Sequence, residues 1–130
     1  MRVRCVDKTR KESAGHAAPK RVDERFAMIE QFGDEAFLLP QGTPRLNAPS
    51  YPVVSKTSGC YHCGLMRAAY TRIGTQINRR STPASYKKEL IKAREQLIKL
   101  GLQFANKRDR RNSCNWAIKA SKRYKVREDY

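Results

Sequence analysis

The stretch STPASYKKELIKAREQLIKLG, residues 81–101, decides the fold class. Ser81-Thr82-Pro83 is a helix start signal. A hydroxyl can accept one of the first free amides, and proline tolerates the first helical position because no N–H is needed there. Behind it Tyr86, Leu90, Ala93, Leu97 and Leu100 recur at spacings of four and three, and Ile91 and Ile98 widen the stripe. Lys87, Lys88, Lys92 and Lys99 fall mostly on the opposite face. Gly101 is a natural stop, since glycine reaches the backbone angles that end a helix. The spacing predicts a helix from Pro83 to Leu100 with one apolar face that must be covered.

A second helix to cover it is predicted from about Cys60 to Asn78. Leu65, Met66, Ala69, Tyr70, Ile73 and Ile77 fall on one face, with Arg67, Arg72 and Gln76 off it. Between Ala36 and Val54 stand Pro40, Gly42, Pro44, Pro49 and Pro52, which forbid a helix interior and suit an extended, turn-rich connector. Phe37-Leu38-Leu39 and Tyr51-Pro52-Val53-Val54 are its apolar anchors. Val22 to Phe32 reads as a short helix with Val22, Phe26, Ile29 and Phe32 on its apolar side, stopped by Gly33. Residues 1–21 read as a basic extended arm, ordered only against a partner from Lys8 to Lys20, with room for one short strand at Arg2-Val3-Arg4-Cys5. A last helix is expected from about Ser113 to Lys122, with Trp116, Ile118 and Ala120 as packing candidates. The expected class is therefore mainly α: a small helical domain at 22–105 with a Pro-rich lead-in, an extended arm at 1–21, and a basic C-terminal extension at 106–130 holding a short helix.

The 130 residues carry 28 Lys+Arg against 12 Asp+Glu, a formal net charge of +16. Residues 1–50 hold nine basic and seven acidic residues, and residues 51–130 hold nineteen and five. Solubility needs a net charge of only about 2–8 on a small domain, so this excess points to a polyanionic partner. No stretch approaches the roughly 18 apolar residues of a membrane span, and no apolar run opens the chain as a secretory signal would. No membrane contact is expected.

The sharpest short motif is Cys60-Tyr61-His62-Cys63-Gly64. Two thiolates three apart can grip one tetrahedral zinc ion, but four ligands are needed and no second pair is present. Cys5, Cys114, His16 and His62 could complete the set only if the fold assembles them. The preferred reading places Cys60 and Cys63 on the first turn of a helix, packed as small hydrophobes, with no metal. Four cysteines are too few and too scattered for a secreted disulfide framework, and free thiols or metal ligands of an intracellular protein are expected. No paired carboxylates, phosphate-binding glycine loop or oriented nucleophile is seen, including at Cys63. No enzyme, cofactor or small-molecule substrate is expected.

The strongest functional signal is Lys107-Arg108-Asp109-Arg110-Arg111, flanked by Asn106 and Asn112. Arginine forks and lysine ammonium groups at such density pair with phosphates, which position a protein without reading sequence. Arg79, Arg80, Lys87, Lys88, Lys107, Arg108, Arg110, Arg111, Lys119, Lys122 and Arg123 are the candidate nucleic-acid contacts. Trp116, Tyr124 and Tyr130 interleave with Lys119, Lys122, Arg123, Lys125 and Arg127 and could stack on bases, though a lone tryptophan in a small domain reads first as a core anchor.

The order Phe37-Leu38-Leu39-Pro40, Tyr51-Pro52-Val53, Cys60-x-His62, Ala68-Ala69, Arg72-Ile73-Gly74, then Lys92-Ala93 and Leu97 to Gly101, resembles a small module of tailed-phage proteins, virion components among them. The resemblance covers about residues 36–102. It implies an extended proline-containing segment feeding a pair of short helices, a packing role, no catalytic site, and packing rather than zinc for Cys60 and His62. The chain departs from it in the long spacer from Pro40 to Tyr51, in Cys63, and in the basic extension.

The expected function is a non-enzymatic structural component of a large assembly, a phage virion, head- or capsid-associated. Its basic C-terminal half would contact nucleic acid or an acidic surface of neighbouring subunits, in the virion or the host cytoplasm rather than in secretion. A ribosomal or mitoribosomal RNA-binding protein is the alternative, and a small phage inhibitor of a host nucleic-acid enzyme is the third reading.

Overall fold

The computed structural model describes residues 3–126. Arg2, Arg127 and Tyr130, invoked above, lie outside the described residues. The helices α1 (Ala14–Ala17), α2 (Val22–Phe32), α3 (Cys63–Asn78), α4 (Ala84–Phe104) and α5 (Trp116–Tyr124) carry the molecule. Four short strands join them, β1 (Val6–Asp7), β2 (Phe37–Leu39), β3 (Ser50–Pro52) and β4 (Tyr61–His62). The domain is mainly α, as the periodicity requires, and its first strand lies at Val6–Asp7, just past the single strand expected at Arg2 to Cys5.

α3 and α4 form the central layer, and α5 packs back along α4. Leu65, Met66, Ala69 and Ile73 of α3 and Tyr86, Leu90, Ala93, Leu97 and Ile98 of α4 are buried. These are mostly the residues of the two predicted stripes. The bounds differ for physical reasons. α3 begins at Cys63 rather than Cys60 because Tyr61-His62 is taken by the parallel pairing with β1, Val6 opposite Tyr61 and Asp7 opposite His62. α4 runs through Gly101 to Phe104, so Gly101 is no stop. A Cβ on Gly101 would sit 2.8 Å from Ala117 Cβ and 3.0 Å from the Trp116 ring. Glycine stands there to let α5 approach.

β2 and β3 pair antiparallel, with Phe37 opposite Pro52 and Leu39 opposite Ser50. They carry Phe37, Val53 and Val54 into the core beside Met66, Leu90 and Leu97. In α2 the buried edge is Met28 with Ile29 and Phe32, while Val22 and Phe26 are 44% and 49% exposed. The expected α2 stripe is thus rotated, because the body touches only that edge.

Among the described residues, the N-terminal segment and the part after α4 are both held to the body. Residues 3–21 contain β1 and α1, bury Ala17 completely, and are held by the Lys56 amide donating to the Ala17 carbonyl at 2.9 Å. Ser113 donates its amide (2.8 Å) and its hydroxyl (2.7 Å) to the Lys8 carbonyl, tying the C-terminal part to the N-terminal segment. No helix among the described residues is long and apolar enough to cross a membrane.

Candidate polyanion-binding surfaces

The cysteines are paired: Cys5 with Cys60 and Cys63 with Cys114, and none is free. This overturns both the free packed thiols and the zinc half-site, and it removes Cys63 as a nucleophile. The β1–β4 register brings Cys5 beside Cys60, and the Tyr61 amide donates to the Cys5 carbonyl at 3.0 Å. Cys63, the first residue of α3, is fully buried against Cys114. The short strand between Cys60 and Cys63 sends the two sulfurs to different partners instead of to one ion. Spacing alone never determines connectivity, which is why the motif misled.

His62 is also absorbed by the fold. It is the N-cap of α3, and its Nδ1 accepts the Leu65 amide at 3.0 Å. The remaining proton therefore sits on Nε2, which donates to the Glu12 carbonyl oxygen at 3.0 Å. Asp7, Glu12 and His62 offer ligand atoms within 4.8 Å of one another, yet both histidine nitrogens are engaged. Glu12 accepts from the hydroxyls of Thr57 and Ser55, and these bonds hold its carboxyl below the usual glutamate range. Burial pushes the Asp7 carboxyl up, but the Thr9 hydroxyl and amide bonds and the nearby Lys11 outweigh it and leave it lowered. His16 is exposed, 3.7 Å from Glu12. The cluster ties the N-terminal segment to α3.

The eleven candidate cations do not form one site. Arg79 and Arg80 follow α3, and Lys87 and Lys88 lie in the first turns of α4. Lys107, Arg108, Arg110 and Arg111 lie beyond the other end of α4, and at 1.5 Å per residue its 21 residues separate the groups by roughly 30 Å. Lys119, Lys122 and Arg123 stand on α5. All are exposed except Lys87, which is half-buried. None makes an ion pair among the described residues.

The loop from Asn106 to Asn112 is held by its own asparagines. The Asn106 amide donates to Asn115 Oδ1 (2.9 Å), and Asn115 Nδ2 donates to the Asp109 carbonyl (2.8 Å). Buried Asn112 donates from Nδ2 to the Phe104 carbonyl (2.7 Å), and its Oδ1 accepts the Cys114 amide (2.8 Å). Asp109, the one acid in the tract, accepts the Arg111 amide at 3.1 Å. The backbone satisfies itself while four cations face water. The Lys8 and Thr9 carbonyls meet Ser113 beside this loop, which places the N-terminal cations near it, something no local pattern announced.

Trp116 and Tyr70 pack against the core. Trp116 packs 5.1 Å from the Tyr70 ring, and Tyr124 lies under the Arg94 guanidinium at 3.7 Å. Burial and the neighbouring Tyr124 raise the Tyr70 phenol above its ordinary range.

A separate hollow of about 450 Å³ opens between α2, β3 and α3. Arg25, Arg45, Arg72 and Arg79 line it, and no acidic residue does. Only Arg79 was singled out from sequence. Arg25 directly follows Asp23-Glu24, and Arg45 and Arg72 stand singly among neutral neighbours, so none of the three formed a basic cluster in the sequence. No protein-family model, curated protein sequence or solved structure matches this chain.

Proposed function

We propose that the protein is a non-enzymatic structural component of a large assembly, a phage particle, that contacts nucleic acid through phosphates. The observation that carries this reading is the loop 106–112. Four exposed cations sit on a backbone already fixed by Asn106, Asn112 and Asn115, and its only carboxylate is turned to an internal amide. A surface ordered in advance loses less entropy on binding than a flexible tail.

The cysteine pairing refines the setting. Disulfides persist in oxidising surroundings and at virion surfaces, and are rare where glutathione keeps thiols reduced. Two bridges and no free thiol therefore favour the particle over the host cytoplasm and over the ribosomal alternative. The phage assignment itself rests on the sequence resemblance over residues 36–102.

The test is a salt titration. Replacing Lys107, Arg108, Arg110 and Arg111 together by Ser should weaken binding to unrelated DNA and RNA sequences alike. It should also flatten the dependence of log affinity on log salt by roughly one unit per lost phosphate contact. An unchanged salt slope would sink the reading.

A further inference from the structure

We propose that the arginine-lined hollow between α2, β3 and α3 is a binding site for a nucleoside 5′-phosphate, either a free nucleotide or the 5′ end of a single strand. It is separate from the loop 106–112 and does not depend on that loop's contacts.

The charge is unbalanced in a way a solvated face seldom is. Four arginines line the hollow from three places, Arg25 on α2, Arg45 on the connector, Arg72 on α3 with Arg79 just past its end, and no carboxylate among the described residues does. Packing like charges together costs energy unless an anion is present to offset it. Arg25 is the least free of them. It is half-buried and donates from Nη1 to the Pro49 carbonyl at 3.1 Å, while its Nε is buried with no acceptor among the described residues. That Nε is closed off from the hollow, but the half-buried Arg25 guanidinium forms no ion pair among the described residues, and an anion in the hollow supplies the missing counter-charge.

Aromatic and apolar side chains share the lining with the arginines: Tyr51, Pro52, Tyr86 and Leu46. Tyr51 holds φ at +61°, a left-handed conformation that is costly for an aromatic residue and more so before proline. The β2–β3 pairing on either side of it, Phe37 with Pro52 and Leu39 with Ser50, keeps it there. Strain of this kind collects where a side chain must be held in place for a ligand. The Tyr51 phenol is bonded to Tyr86 and is pushed up by burial, so it is a neutral hydroxyl and not a competing anion.

Size and shape select the ligand class. A volume of about 450 Å³ lies within the range of small-ligand pockets. One carboxylate does not need four arginines, whereas a phosphate offers several oxygens to bidentate forks. The ring and proline wall leaves a face for a base. A second hollow of about 260 Å³ shares Arg25, Tyr51, Pro52 and Arg72 and is also lined by Lys20, which gives a chain a basic surface past the first phosphate.

The test titrates the full disulfide-bonded protein, labelled with nitrogen-15, with thymidine 5′-monophosphate and with thymidine. The nucleotide should bind, move the Arg25 Nε–H and Tyr51 resonances, and exceed thymidine in affinity by at least about tenfold. Arg45→Ser and Arg72→Ser, both at exposed positions, should each weaken nucleotide binding by about tenfold and leave the helical circular dichroism unchanged. The fourfold Ser variant of the loop 106–112 should bind the nucleotide as the wild type does, which separates this site from the loop reading. Oligothymidylate with and without a 5′-phosphate, titrated against the same loop variant, distinguishes the sources. Tighter binding of the 5′-phosphorylated strand than of both the unphosphorylated strand and the mononucleotide assigns a strand end, and tightest binding of the mononucleotide assigns a free nucleotide. Equal binding of thymidine and its monophosphate would overturn the proposal, as would no binding at millimolar nucleotide or indifference to Arg72→Ser.

Discussion

Glu12 shows how a single side chain joins three parts of the chain. Its carboxylate accepts from Ser55 and Thr57, its carbonyl accepts from His62, and it sits in the N-terminal segment. The hydroxyl bonds favour the ionised form, so its folded pKa lies below the usual glutamate range. A group lowered on folding contributes stability above its unfolded pKa and loses it as pH falls through the folded one. Acidification from about pH 5 to pH 3 should therefore lower the denaturation midpoint. In Glu12→Gln the midpoint should be lower at neutral pH and fall less steeply over the same interval. Urea titrations at several pH values measure both. Equal acid slopes in the two proteins would remove Glu12 from the acid response.

At the scale of elements, the contact between α4 and α5 turns on Gly101. Helix propensity alone says that Gly101→Ala should stabilise by roughly 1 kcal/mol, as glycine is the poorer helix former. The structure says the reverse, because the added methyl would meet Ala117 Cβ at 2.8 Å and the Trp116 ring at 3.0 Å. Crowding of this kind costs about 1–3 kcal/mol, so a lower melting temperature is expected. A rise would mean that α5 docks loosely. The loop 106–112 allows a second test of geometry against charge. Asn115→Ala removes the bonds to the Asn106 amide and the Asp109 carbonyl and leaves every cation in place. Nucleic-acid affinity should drop by about two- to tenfold from the added ordering cost. Its salt slope should not change, since no phosphate contact is lost. Affinity equal to wild type would show that charge density alone suffices.

For the whole molecule, the bridges set the order of unfolding. Cys5–Cys60 and Cys63–Cys114 span 55 and 51 residues, and each loop closure is worth about 4 kcal/mol in the chain-entropy description. They differ in access. Cys5 is exposed and Cys60 half-buried, whereas Cys63 and Cys114 are fully buried. Graded reductant with alkylation should label Cys5 and Cys60 first. Cys63 and Cys114 should react only together with loss of the helical signal. Simultaneous labelling of all four would contradict the protection of the inner bridge. Together the bridges tie the N-terminal segment and the turn that leads into α5 to the start of α3.

The helices were legible without coordinates because an apolar stripe is a local pattern. Tyr86, Leu90, Ala93 and Leu97 must share a face wherever the backbone is helical. The same holds for Leu65, Met66, Ala69 and Ile73, and for the loop cations, whose density is itself a sequence property. The sulfur pairing was not legible, since it depends on Cys5 and Cys114 reaching Cys60 and Cys63 across more than fifty residues. Nor was the end of α4, because nothing near Gly101 reveals that α5 returns to lie on it. The hollow is the clearest case. Arg25, Arg45, Arg72 and Arg79 are spread over 55 positions of sequence and become one field only when α2, the connector and α3 meet. Periodicity and charge density are carried by neighbours in the chain, so sequence determines them. Pairing and convergence are carried by residues far apart in the chain, and only the packed tertiary structure decides which of those meet.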